Sequence, residues 1–142
     1  MTFTPILPVP RWKQRPWLEQ VGGKRHKVTR EGIYLAADRS EFHIPKGFET
    51  DGGSVPRPLW WWMPPFGDGA ESGYVLHDML YRLAEIYPGM TRKRADDLLR
   101  EAAIAEGLPK ARARVIWLGV RLGGGGIWER YRELAADEPE AA

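Results

Sequence analysis

A chain of 142 residues, 43% hydrophobic and 28% charged, is sized and composed for one folded domain with one core. Its 21 basic and 19 acidic residues leave a net charge of +2, too even to argue for nucleic acid, and no nucleic-acid partner is predicted. The absence of cysteine excludes disulfides and thiolate metal sites, and no apolar run approaches the roughly 20 residues of a membrane span.

The opening stretch MTFTPILPVPRWKQRPW has no basic region ahead of an apolar core, so no secretory signal is expected and residence in the cytoplasm is. Pro5, Pro8, Pro10 and Pro16 forbid a helix interior, and residues 1–20 read as a Pro-rich extended arm that docks on its own domain or on a partner. Two strand-like runs follow. KVTREGIYLA places Val28, Ile33, Tyr34 and Leu35 around Gly32 and predicts a hairpin or meander. EFHIPKGF alternates Phe42 and Ile44 with polar neighbours, then turns at Pro45–Gly47. Residues 21–50 are therefore expected to form a small antiparallel sheet.

The next stretch, FETDGGSVPRPLWWWMPPFGDGAESG, is rich in Gly and Pro and carries Trp60, Trp61 and Trp62 in a row. A loop of that length without regular structure is usually functional when it is ordered. Asp51, followed by Gly52 and Gly53, reads equally as a metal or substrate loop or as an Asx-turn leaving the sheet. Adjacent tryptophans cannot all face one core, so at least one is expected at an interface, where a lipid boundary or a protein partner would suit it; packing of a long loop is the plainer alternative.

From Ala70 the pattern turns helical. Tyr74, Leu76, Leu80, Leu83 and Ala84 carry helix-like spacing, and Pro88–Gly89 is expected to end this helix. Thr91 is the expected N-cap of a second helix with its apolar stripe on Ala95, Leu98, Leu99 and Ala102, stopped by Gly107 and Pro109. A third helix is expected from Pro109 to Leu122, a hinge at Gly123–Gly126, and a short last helix on IWERYRELAA. Arg112, Arg114 and Arg121 on the third helix suit either an anionic partner or solvent.

The short link between the first two helices predicts antiparallel neighbours. His77 and Tyr81 lie one turn apart on a shared face, Asp78 about 100° away, and Asp96 flanks the stripe of the second helix within reach of His77. A carboxylate bonded to one imidazole nitrogen fixes the tautomer and stabilises the imidazolium, leaving the other nitrogen to take a proton from water. Asp78, facing elsewhere, suits a hard cation such as calcium, with carbonyl oxygens from a Gly-rich loop and Asp51 as further ligands. The alternative is a solvated or core histidine beside ordinary aspartates.

HDMLY followed by RADDLL resembles the helix pair of the phospholipase A2 superfamily, H-D-x-x-Y and then an Asp in a second antiparallel helix. That resemblance implies His77 as general base, Asp96 as the carboxylate that orients it, Tyr81 as its support and Asp78 as a calcium ligand. The Tyr-x-Gly-x-Gly calcium loop of that superfamily is not clearly present; TDGGS and FGDG are its nearest substitutes. Over a longer span, IPKGFETDGGSVPR, Trp60, HDMLY and TRKRADDLL are similar to a phage and prophage family, domain of unknown function 1353. That resemblance implies a phage or prophage origin, synthesis in the host cytoplasm and possible incorporation into the virion, and no established activity.

The expected architecture is α+β: a small antiparallel β-meander followed by a three- to four-helix part with an antiparallel helix pair. Residues 1–20 form the arm, 21–136 one domain and 137–142 a flexible acidic tail. The expected function is calcium-assisted ester hydrolysis on lipid or a membrane surface. The alternatives are a non-catalytic virion or assembly component that docks on other phage proteins, and a metal-dependent cell-wall hydrolase using Asp51, His77 and Asp78.

Overall fold

A computed structural model describes residues 8–23, 25–50 and 70–137. The expectations for Asp51, for Trp60, Trp61 and Trp62 and for the last residues of the acidic tail lie outside the described residues. Among the described residues six strands, β1 (Arg11–Gln14), β2 (Trp17–Gly22), β3 (Arg25–Arg30), β4 (Gly32–Leu35), β5 (Glu41–Ile44) and β6 (Glu49–Thr50), precede four helices. These are α1 (Glu71–Arg82), α2 (Arg92–Ala105), α3 (Lys110–Gly123) and α4 (Gly125–Asp137), with a 3-10 turn at Ala84–Ile86. The fold is α+β. Among the described residues no helix is long and apolar enough to cross a membrane.

The strands form two antiparallel three-stranded sheets, ordered β1-β4-β5 and β2-β3-β6, where one meander was expected. The chain steps between sheets three times, at Arg15–Pro16, at Glu31 and across residues 45–48. The run around Gly32 is therefore a crossing and not a hairpin: β3 and β4 belong to different sheets. Pro16 is buried at this crossing, and a Cβ on Gly32 would lie 2.9 Å from Pro16 Cδ. Glycine is required there for close approach of two layers rather than for a turn.

The sheets also begin ten residues earlier than the pattern suggested. β1 pairs with β4, Trp12 opposite Tyr34. The Trp12 indole stacks on Tyr34 with ring centroids 4.9 Å apart, and its Nε1 donates to Ala102 O at 3.1 Å. The segment from Arg11 to Gly22 is thus woven into the domain. Its Pro residues read as an arm because no periodicity in the local sequence reveals its strand partners, β4 for β1 and the adjoining β3 for β2.

Every residue from Ser72 to Tyr81 is buried. Leu76, Met79 and Leu80 pack on Val28, Tyr34, Phe42 and Ile44 of the sheets and on Leu98 and Ala102 of α2. Ala70 and Tyr74 join Leu99, Ala103, Ala113, Ile116 and Val120 of α2 and α3 in a second cluster. A helix enclosed all round has no wet face: His77 and Asp78, about 100° apart, are both buried.

α1 ends at Arg82, several residues before Pro88, and the 3-10 turn carries the chain onward. Thr91 caps α2 as expected, its Oγ1 accepting from Arg94 N at 3.1 Å. Gly107, at φ 111°, ends that helix in the left-handed region where glycine is favoured. The expected Gly123–Gly126 hinge is instead a helix-to-helix joint: only Gly124 separates α3 from α4.

α1 has no side-chain cap of its own at Ala70. Glu106, at the end of α2, supplies one. Its Oε1 accepts from Gly73 N at 2.8 Å, and its Oε2 accepts from Ser72 N at 3.2 Å and from Arg15 at 3.2 Å. Burial pushes the Glu106 carboxyl up to about 7, while the two amides and Arg15 pull the other way. The folded form then holds a proton that the unfolded chain releases near the ordinary value of about 4.5. This contribution to stability is complete below that value and is lost as pH rises to about 7. The unfolding midpoint is expected to fall between pH 5 and pH 8, and Glu106→Gln to flatten that limb. Thermal unfolding followed by circular dichroism across this window checks both.

Candidate active site

α1 and α2 run side by side, and their facing turns bring together the three residues that the spacing singled out. His77 Nε2 lies 2.6 Å from Asp96 Oδ1, and Tyr81 Oη donates to the same oxygen at 2.6 Å. The His77 and Tyr81 rings tilt against each other with centroids 4.3 Å apart. Tyr81 in turn meets the edge of Trp128 from α4 at 5.2 Å.

The other carboxylate oxygen of Asp96 faces two cations. Arg121 Nη1 from α3 donates to Oδ2 at 2.8 Å, and Arg92 Nη1 lies 3.5 Å away. Burial alone would raise the Asp96 pKa. The bonds and charge from His77, Tyr81 and Arg121 outweigh it and hold the group below the usual carboxylate range. Burial first, then the hydrogen bond to Asp96 and its charge, raise the Tyr81 phenol, which therefore stays protonated and donating.

An ionised Asp96 accepts, so the hydrogen of the His77 bond sits on Nε2, and in the neutral ring the lone pair is then on Nδ1. That nitrogen is buried and has no hydrogen-bond partner among the described residues. Buried polar atoms are paired in the great majority of cases, so an unpaired basic nitrogen calls for an explanation.

Asp78 is beside His77 in sequence and on another side of α1 in space. Its Oδ1 lies 3.2 Å from Arg82 Nε one turn on. Arg82 also donates to Tyr131 Oη and to Glu49 O, both at 3.2 Å. Calcium takes six to eight oxygen ligands. Among the described residues no group of three or more His, Asp or Glu is arranged to hold a metal ion. Asp78 with its arginine partner does not make such a shell, and the second expected ligand, Asp51, lies outside the described residues.

Sequence reasoning missed the arginines. Arg92 stands four residues before Asp96, a spacing at which ion pairs are legible on a helix. It also donates to Val120 O and Arg121 O, at 3.3 and 3.2 Å, and so covers the last carbonyls of α3. Arg121 suits either an anionic partner or solvent by its place in the sequence; its partner is Asp96, 25 residues away in the chain. Arg132 of α4 donates to Tyr81 O and lies 4.4 Å over the Trp128 ring. Nothing local marks these contacts, because they depend on how α3 and α4 cross the helix pair.

Gly124 is where the helix joint meets the site. A Cβ there would lie 2.7 Å from Tyr81 Oη and 2.6 Å from Val120 O. Gly124→Ala is expected to displace the phenol from Asp96 and destabilise the fold by about 1–3 kcal/mol. Gly126→Ala, with nothing within 4 Å, is expected to be neutral or to stabilise α4 by up to about 1 kcal/mol. Denaturant unfolding of the two variants side by side checks the contrast.

Residues 26–120 match the model of a family described as Protein of unknown function (DUF1353). The matched segment contains His77, Asp78, Tyr81 and Asp96 and stops one residue short of Arg121. No curated protein and no solved structure matches the chain.

Proposed function

We propose, for a chain that belongs to the family of unknown function DUF1353, that it is a hydrolase of carboxylic esters, with lipid esters as its substrates and His77 as its base. The single observation behind this reading is the buried His77 Nδ1, unpartnered among the described residues, on a ring whose Nε2 is held by Asp96 at 2.6 Å. Most buried polar atoms of a packed side chain find a partner, so an unpartnered imidazole nitrogen favours a base over a packing residue.

In the proposed reaction a water beside Nδ1 gives its proton to the ring as its oxygen bonds to the ester carbonyl carbon. Asp96 keeps the tautomer and stabilises the imidazolium. The tetrahedral intermediate then collapses, the bond to the alkoxy oxygen breaks, and the imidazolium returns the proton to the departing alcohol. Ester and water become acid and alcohol, and the ring ends neutral. Tyr81 fixes the Asp96 carboxylate from one side and Arg121 from the other. The spacing resemblance to the phospholipase A2 helix pair supports lipid as the substrate class. Because the described residues do not form a calcium shell, no step is drawn through a cation.

The test is fatty-acid release from mixed phospholipid vesicles by the purified chain, with calcium and with a chelator. Release that vanishes in His77→Gln supports the proposal, and the chelator arm decides the calcium requirement. Absence of release in both arms would remove the lipase reading. A second reading takes the cluster as a purely structural network in a virion or assembly component of phage origin. It is favoured by the complete burial of His77, Asp78 and Asp96. It predicts no turnover in any arm, and a loss of stability or assembly as the only effect of changing His77.

A further inference from the structure

α3 buries Ala113, Ile116, Gly119 and Val120 against the rest of the domain and turns its opposite face outward. That outer face carries Val115, Leu118 and Leu122, which are 51%, 43% and 88% exposed. With exposed Ala111 they recur at four, three and four residues, one continuous row along about 20 Å of helix. Lys110 and Arg114 border the row. The whole helix, KARARVIWLGVRLG, has four basic residues and no acidic one.

α4, joined to α3 through Gly124 alone, is mixed in charge, with Glu129, Glu133 and Asp137 beside Arg130 and Arg132. Gly126, Glu129, Arg130, Glu133, Leu134 and Asp137 line a groove of about 450 Å³ along its outer side. Three of these six are acidic, and Leu134 is 52% exposed among them. The helices are nearly equal in length, 14 and 13 residues.

We infer that the outer face of α3 docks on the acidic groove of α4 in a second copy of this chain. Three occupants can be weighed by charge. Two α3 faces against each other would oppose Lys110 and Arg114 to the same residues of the other copy. An anionic membrane would match the basic border of α3 and leave the acidic positions of α4 without a complement. A second copy supplies the complement of both faces: α3 meets α4 of the partner, and α4 meets its α3. A two-fold axis then forms the contact twice, bringing two short helix pairs toward the roughly 1,600 Å² of an ordinary specific interface. Leu118 and Leu122 would pack near Leu134, with Lys110 and Arg114 facing Glu129 and Glu133.

Sedimentation of the full chain over a range of concentrations tests the inference. At low ionic strength the mass should rise from 16.2 kDa to twice that value, and added salt should reverse the association. Lys110→Glu with Arg114→Glu, or Glu129→Lys with Glu133→Lys, should each weaken self-association at least about tenfold. An equimolar mixture of the two double variants should restore the dimer, because each then offers the other a complementary pair of faces. All four positions are exposed, and unchanged thermal unfolding confirms that each variant is folded. A monomer at every concentration, an association indifferent to salt and to both reversals, or a mixture that stays monomeric would each overturn the inference. So would a monomer that pellets with anionic vesicles and loses that binding when Lys110 and Arg114 are reversed, an outcome that assigns α3 to a lipid surface.

Discussion

Asp96→Ala is expected to destabilise the domain by about 3–5 kcal/mol, the cost of breaking a buried ion pair from one side. The carboxylate is fully buried and serves four neighbours: His77 Nε2, Tyr81 Oη, Arg121 and Arg92. Its removal leaves two hydrogen-bond donors without an acceptor and two arginines without the anion that balances them. It also unties three helices at one point, since the partners come from α1, α2 and α3. For a domain of this size the unfolding midpoint should drop by roughly 10–15 °C.

Asp96→Asn keeps the shape and removes the charge, so its loss should be smaller, near the roughly 1.5–3 kcal/mol of a bond to a charged group. The same charge sets an acid limit. Asp96 is held below the usual range when folded, so its contribution is present above the ordinary aspartate value of about 4 and is lost as pH falls through the folded value. The wild-type chain should lose stability on that acid limb more steeply than Asp96→Asn. Thermal unfolding between pH 2 and pH 6 reads this out.

The second large effect is on turnover. His77→Gln is expected to reduce fatty-acid release by about 10²–10⁴-fold, the usual contribution of a positioned general base. Glutamine keeps an N–H that can reach Asp96 and removes the nitrogen that takes the proton. The stability cost should therefore stay near that of one hydrogen bond, about 1 kcal/mol. The two measurements separate the readings: a large loss of release with a nearly unchanged midpoint supports the base. A chain with no release to lose, and a midpoint that falls steeply in His77→Gln, would make the cluster a structural network. Tyr81→Phe and Arg121→Gln act through Asp96, so they should alter the pH profile of release as well as its size.

The helix pair was legible before any coordinates because its signals are local. Thr91 caps a helix, Gly107 and Pro109 stop it, and four residues separate His77 from Tyr81 on any α-helix. Even the meeting of His77 and Asp96 follows from two adjacent helices and a short link. What the spacing does not contain is the third dimension around the pair. Whether α1 is half-exposed or enclosed depends on strands that start at Arg11 and on a fourth helix, and only their packing buries Asp78 beside Arg82. The sheets were misread for the same reason: alternation marks a strand and its two faces, but says nothing about which strand lies next to it, so the crossing at Gly32 looked like a turn.

Residue order along the chain thus dictated the helices, their caps and the imidazole–carboxylate–phenol spacing, since backbone geometry and side-chain period act over one or two turns. Tertiary packing alone decided that Arg121 joins Arg92 in neutralising Asp96, that Glu106 caps α1 from 33 residues away, and that Gly124 leaves room for Tyr81. Those pairings form because burial makes an unmet charge or amide costly, and which partner meets it is set by where the helices cross.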